Sequence, residues 1–516
     1  TFEVVNLTDG VSRGELFNRV VLGTNVADTL NFGAAPNTVS YYVNGGVGND
    51  AIMGGAGNDF LVGGADNDTL NGGEGVDSFI GGTGVDIING GLGNDVVVAY
   101  DLATDAADTI NLGAELGDRI NVTATGSPFI RVTLDRAGVG NGNVNDTPGL
   151  TNGDGNLAVR MAGQAMAAAA AVNTVTGRAD DEGVTISSYG AVPPVFEVRD
   201  LASGAIYGSD FVRLVLGTVD GETLDVSALT GRSYVNGGNG NDMLVASALG
   251  SFLDGGAGID TLTGGDSNDA LIGGAGNDVI NGGRGNDTVV DYNLVTDGAD
   301  AITLEAVTPV FLVDGTAQLG DVVNVRSAVD NGGGSFTHAS QIRLSVTVSE
   351  VGNGDVQESG LLTPQDGNLA VRLQAEVGTS DTLDGAVGRV DDEGVTFLTN
   401  AATTFDVRDT VPDGAAIRSY GDAFNSATLG TSAADLIVSR AGNDFIAGGQ
   451  GADTIELADS VAANGRDVIA GFQSGLGGDR IDVSAFLGAG ATASQVHTYA
   501  DLASAMADMA NLNDGD

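Results

Sequence analysis

Aspartate recurs at every ninth residue through the stretch 45–98, at Asp50, Asp59, Asp68, Asp77, Asp86 and Asp95, and each stands two residues before an Ile, Leu, Phe or Val. The stretch divides without remainder into six words, GGVGNDAIM, GGAGNDFLV, GGADNDTLN, GGEGVDSFI, GGTGVDIIN and GGLGNDVVV, each opening on two glycines. With Asp66 and Glu74 it holds eight acids and no Lys or Arg. Carboxylates stacked at a strand spacing of about 4.8 Å repel one another in a partly dry turn, so a cation must sit between the turns. The ligands on offer are carboxylate oxygens and the carbonyls that glycine turns expose, which suits a hard divalent ion. Ca²⁺ fits better than Mg²⁺, because it accepts about six to eight oxygens in irregular geometry.

The same phase runs through 237–290, with Asp242, Asp260, Asp269, Asp278 and Asp287, and through a shorter stretch at 430–456, with Asp435, Asp444 and Asp453. In the word ASALGSFLD of the second stretch, Ser251 stands where the acid belongs, so a site there is expected to be weak or missing. Turn-forming aspartate accounts for an Asp-Gly here and there, but not for Asp-x-apolar at every ninth residue.

To hold such a ladder, each word must be a tight turn of about six residues followed by a strand of about three. The glycines permit positive φ and close backbone approach. The eighth residue is the apolar side chain that points inward while its neighbours alternate outward. Two words then make one lap of a flattened coil, about 18 residues around.

GGAGNDFLV at 54–62 and GGAGNDVIN at 273–281 resemble the nonapeptide of the repeats-in-toxin (RTX) family, G-G-x-G-x-D-x-U-x. The resemblance implies a Ca²⁺-bound parallel β-roll in which turn carbonyls and the fourteen position-six aspartates named above hold the ions. It also implies type I export through a carboxy-terminal signal.

A longer period overlies the rolls. TFEVVNLTDG, VFEVRDLASG and TFDVRDTVPDG start three copies on Phe2, Phe196 and Phe405, followed by the lead-ins RVVLGTNVADTL, RLVLGTVDGETL and SATLGTSAADLI. After each roll comes a β-rich segment with LGDRINV, LGDVVNV or GGDRIDV; the first two copies then share DGNLAVR and DDEGVT. The expected organisation is an all-β array of modules at 1–194, 195–403 and 404–516, with rolls at 45–98, 237–290 and 430–456. Pro193-Pro194 and the stretch 399–404 mark the joints. Between rolls, FIRVTL and QIRLSVTV alternate like strands of antiparallel sheets, packed on the roll's end or forming a sandwich. Leu502, Met506 and Met509 predict a short amphipathic helix in the tail. The third copy stops where the first would enter NGDGNLAVR, so a continuation or a neighbouring molecule is expected to supply the rest.

Composition narrows the function. All 20 basic residues are arginine against 69 acids, a net charge of −49, which leaves no basic patch for nucleic acid and no lysine for a phosphate loop. Cysteine is absent, excluding disulfides and thiolate metal sites. The longest run of low polarity, 161–172, is too short to cross a bilayer. His338 and His497 are the two histidines, neither in H-E-x-x-H, and no G-x-S-x-G occurs. The acidic trios at 180–182 and 391–393 read as solvated loops with a further ion as the alternative. The chain is therefore expected to be non-enzymatic, extracellular and homo-oligomeric: a calcium-stabilised structural or adhesive surface protein forming a filament or layer. The alternative is the export and folding part of a secreted RTX enzyme or toxin whose catalytic domain lies elsewhere.

Overall fold

The computed structural model describes residues 1–5, 12–34, 39–105, 108–113, 115–125, 129–136, 138–140, 159–164, 177–179, 183–190, 193–200, 203–293, 300–304, 317–318, 321–326, 328–330, 336–338, 341–346, 348, 351, 371–376, 388–390, 394–399, 404–409, 418–431, 433–457, 467–473 and 478–482. Among them every regular element is a β-strand, and no helix is long and apolar enough to cross a membrane. The expected tail helix at Leu502, Met506 and Met509, His497 and both acidic trios lie outside the described residues. Contacts group the chain into two compact units, Thr1–Ser247 with Ser251–Ala257, and Ala248–Gly250 with Gly258–Asp516.

In the first unit the roll's strands alternate between two faces. Tyr41–Val47, Phe60–Ala65, Ser78–Thr83 and Val96–Asp101 pair in parallel on one; Thr29–Asn31, Ala51–Gly55, Thr69–Glu74 and Ile87–Leu92 do so on the other. Leu61 pairs with Phe79 and Ile52 with Leu70, eighteen positions apart, so one lap takes two words. The eighth residue of every word, Ile52, Leu61, Leu70, Phe79, Ile88 and Val97, is at most 1% exposed, and each contributes about 1.5 to 3 kcal/mol by burial. The second glycine of a word is dictated by the stack. Gly64 has φ +121°, and a Cβ there would lie 2.1 Å from the Gly46 carbonyl oxygen of the lap beneath.

Both faces continue past the roll. Asp118–Thr123 and Val184–Ser188 extend one in parallel, Asp108–Asn111 and Gly177–Ala179 the other. The segment after the roll thus packs on the roll's end, and within it Val159–Gln164 returns antiparallel between Phe129–Leu134 and Gly177–Ala179. Alternation in FIRVTL specifies a strand but not its partner's direction. Val184–Ser188 then pairs antiparallel with Arg213–Leu216, on which Ser233–Asn236 and Ser251–Ala257 stack in parallel.

The second unit follows the same plan. Ala270–Ala275, Thr288–Asn293, Asp321–Arg326 and Val395–Thr399 are parallel; Val395–Thr399 meets Ser426–Leu429 antiparallel; Asp444–Ala447 and Val468–Ala470 follow in parallel. Ile437, Ile446 and Ile455 form the core of the third roll.

Each unit contains one joint of identical construction. In the first, Phe129–Leu134 lies parallel to Val195–Asp200, which forms a hairpin with Ile206–Phe211. In the second, Gln341–Val346 lies parallel to Thr404–Asp409, hairpinned with Arg418–Phe424. Opposite charges face each other across both. Arg131 Nε is 2.8 Å from Glu197 Oε1, and Arg343 Nε is 3.5 Å from Asp406 Oδ2, with all four side chains at most 4% exposed. Arg199 and Arg408 approach the same carboxylates at 2.5 and 2.8 Å.

Candidate metal sites

The fourteen position-six aspartates lie where the turns enter the strands, Asp435 and Asp444 as the first residues of theirs, and all are at most 3% exposed. Burial of so many acids requires partners for their oxygens. One oxygen has a partner built into the fold. In the first roll Oδ1 accepts the N–H of the residue one lap earlier: Asp28 to Asp50, Tyr41 to Asp59, Asp50 to Asp68, Asp59 to Asp77, Asp68 to Asp86 and Asp77 to Asp95, at 2.7–2.8 Å. Each aspartate therefore receives from the lap below and donates to the lap above.

The other oxygen has no such donor. Oδ2 of Asp50, Asp59, Asp68, Asp77, Asp86 and Asp95 is buried without a hydrogen-bond partner. It points at the first glycine of its own word, where a carbonyl from the next lap also converges. A Cβ on Gly72 would stand 2.1 Å from Asp77 Oδ2 and 2.6 Å from the Gly90 oxygen; on Gly54, 2.3 Å from Asp59 Oδ2 and 2.8 Å from the Gly72 oxygen. At Gly81 the converging atoms are Oδ2 of both Asp86 and Asp108. Acceptors gathered around a hollow that admits no side chain and contains no donor are the surroundings of a cation. Among the described residues no three acidic or histidine side chains gather in one group, so carbonyls must supply much of each ligand set. An all-oxygen, carbonyl-rich and irregular donor set fits Ca²⁺.

Electrostatics point the same way. Burial pushes the carboxyls of Asp59 and Asp86 up to about 6, and Asp95 to about 7, with Glu115 adding to the effect. Burial together with neighbouring aspartates pushes Asp68 to about 7 and Asp77 to about 8. Without a cation Asp68, Asp77 and Asp95 hold their protons to near neutrality, whereas Asp59 and Asp86 lose theirs about one pH unit below it.

The ladder is longer than the nonapeptides. Asp108 accepts from Asp86 N–H and Asp118 from Asp95 N–H, both with Oδ2 buried and unpartnered, and burial with the adjoining carboxylates pushes them up to about 9 and 8. Asp300, Asp467 and Asp479 likewise accept the N–H of Asp278, Asp444 and Asp453. These five fall outside the nine-residue phase; the signal that marks two of them is the Gly-Asp of LGDRINV and GGDRIDV.

In the second roll Asp242 accepts from Glu222 N–H, Asp278 from Asp260 and Asp287 from Asp269, which continues the pattern. Ser251, at the acid-free position, accepts Ser247 N–H at 3.0 Å, and the Ser247 hydroxyl donates to the Gly231 carbonyl. In the third roll Asp453 repeats the ladder bond with Asp435 N–H, whereas Asp444 accepts from the Ser426 hydroxyl and Arg440 N–H.

Each roll opens on a different kind of rung. In the lead-ins, G-T-x-x-x-[DE] places Thr24, Thr218 and Thr431 four residues before Asp28, Glu222 and Asp435. The threonine N–H and hydroxyl both donate to the carboxylate in all three. At Asp435 the bonds are 2.6 Å from N–H and 2.9 Å from Oγ, one to each oxygen. Threonine thus supplies to this rung the donors that Oδ2 lacks at Asp50, Asp59, Asp68, Asp77, Asp86 and Asp95.

A search of curated proteins finds no match to the chain. The family model of the RTX calcium-binding nonapeptide repeat matches residues 44–79, 71–100, 225–248, 254–289 and 429–459. The buried, cation-seeking aspartates of all three rolls thus belong to RTX calcium-binding nonapeptide repeats.

Proposed function

We propose that this chain is a secreted, calcium-stabilised structural or adhesive protein of the cell surface, built of tandem modules that assemble into a filament or layer, and that it has no catalytic role. The observation that carries this reading is the repetition of one module-to-module joint, with the same register and the same buried Arg–carboxylate pair, in two places. Repetition at that scale serves an extended scaffold, whose length comes from adding units. Calcium is the folding switch. Where the free ion is scarce, ionised aspartates at the turns oppose folding and leave the chain exportable. Outside the cell each filled site stabilises the fold by RT ln(1 + [L]/Kd), about 2.7 kcal/mol at a hundredfold excess.

Electron microscopy of the purified chain in Ca²⁺ and in chelator tests the reading. Ordered polymers that dissolve on chelation are expected. Monodisperse particles in both conditions would overturn it and favour the export and folding part of a secreted enzyme or toxin.

A further inference from the structure

The hairpin that receives a neighbouring strand at both joints occurs a third time, at the first residues. Phe2–Val5 pairs with Ser12–Phe17 through Phe2↔Phe17, Val4↔Gly14 and Val5↔Ser12. The joint hairpins use the same register and the same irregularities, Phe196↔Phe211, Val198↔Gly208 and Arg199↔Ile206, then Phe405↔Phe424, Val407↔Gly421 and Arg408↔Ser419. At the joints the outer edge is covered by a parallel strand that sets Ile130 against Phe196, Arg131 against Glu197 and Val132 against Val198, or Ile342, Arg343 and Leu344 against Phe405, Asp406 and Val407. There Phe196 and Phe405 are fully buried. In the first hairpin Phe2 is 55% exposed and Glu3 is exposed beside it, and among the described residues no strand pairs with that edge.

Glu3 stands where Glu197 and Asp406 stand. It differs in one respect: the arginine two residues on, Arg199 or Arg408, is replaced by Val5. The first hairpin therefore displays an aromatic side chain, a carboxylate lacking the neighbour that helps neutralise its counterparts, and a row of free backbone hydrogen-bonding groups.

We propose that the Phe2–Val5 edge is a docking site for a parallel β-strand carrying arginine between two aliphatic residues, the end strand of a module of this type. Backbone pairing gives the bulk of the attraction, and the Arg–Glu3 pair, closed off by Phe2 and the incoming aliphatic residues, sets register and selectivity. The inference rests on the two joints, which also carry the scaffold reading, but it requires no polymer.

The test is a titration of the full chain in saturating Ca²⁺ with a labelled peptide carrying Phe129–Leu134, followed by anisotropy. Saturable binding of one peptide per chain is expected. Glu3→Arg weakens it about thirtyfold or more, and the peptide with Arg131→Glu restores it on that variant while failing on the native chain. Glu3 is exposed, so the calcium-dependent circular dichroism of the variant stays native. Absence of saturable binding at millimolar peptide, or binding indifferent to Glu3→Arg, would overturn the assignment. Loss of polymers in the microscope with peptide binding intact would refute the scaffold alone.

Discussion

Replacing Asp77 by asparagine is expected to stabilise the calcium-free chain and destabilise the calcium-loaded one. Asp77 is fully buried; its Oδ1 holds Asp59 N–H at 2.7 Å, and its Oδ2 lies beside the Gly90 carbonyl with no donor. Asparagine preserves the first contact, and its amide group, in the place of Oδ2, can donate to the carbonyl. Without metal the native carboxyl, raised from 3.8 to about 8 by burial and by Asp95 and Asp59, meets a cost of ionisation on folding whose ceiling is about 6 kcal/mol at about 1.4 kcal/mol per pH unit. Relaxation and water entry reduce such figures, and a net gain of about 2 to 3 kcal/mol for Asp77→Asn in chelator at pH 8 is the working value. In Ca²⁺ the variant lacks the anionic ligand of one site and loses about 2.7 kcal/mol at hundredfold excess. Urea denaturation followed by circular dichroism, with chelator and with saturating calcium, reads both signs, and equilibrium dialysis counts the ions. Destabilisation in chelator would refute the claim that these aspartates are a liability relieved by the ion.

Other outcomes follow from the same geometry. In chelator, stability should be greatest below the unfolded carboxyl value of about 4, since protonated Asp59, Asp68, Asp77, Asp86 and Asp95 are raised in the folded state to between about 6 and about 8. It should fall as pH climbs from about 4 to about 8, a slope that circular dichroism against pH detects and that saturating calcium abolishes. Arg131→Ala strands Glu197, buried to 3% side-chain exposure, beside Arg199 alone; a loss of about 3 kcal/mol in urea denaturation is expected, equal with calcium at either of two saturating levels. Thr431→Val removes the hydroxyl from Asp435 and should cost about 1 to 3 kcal/mol in chelator; a smaller cost in calcium is expected if an ion takes the hydroxyl's place, and isothermal calorimetry would show the added site.

The rolls were legible because one period carries turn, acid and core together: the residue that fixes Asp77 also fixes Phe79, and neither moves without the other. Asp108, Asp118, Asp300, Asp467 and Asp479 were hidden because their ladder bonds span 22, 23, 22, 23 and 26 residues instead of 18. A lap closes on any loop length once its strand is in register, so periodicity alone cannot find them. The threonine rungs did carry a sequence signal, G-T-x-x-x-[DE], which reads as part of a strand until the hydroxyl is seen on the carboxylate. Arg131 and Glu197 lie 66 positions apart, and only the parallel pairing of FIRVTL with VFEVRD makes them partners.

The threonine rungs also give each roll a starting edge. A stack whose lowest layer is satisfied by its own chain has a foundation in calcium-free solution, and only the storeys above it wait for the ion. At limiting calcium the first roll, whose later aspartates leave Oδ2 unpartnered, should then grow as an ordered stub from Thr24 toward higher residue numbers, so hydrogen exchange would show protection advancing as a front. Ion concentration would govern how tall that stack stands.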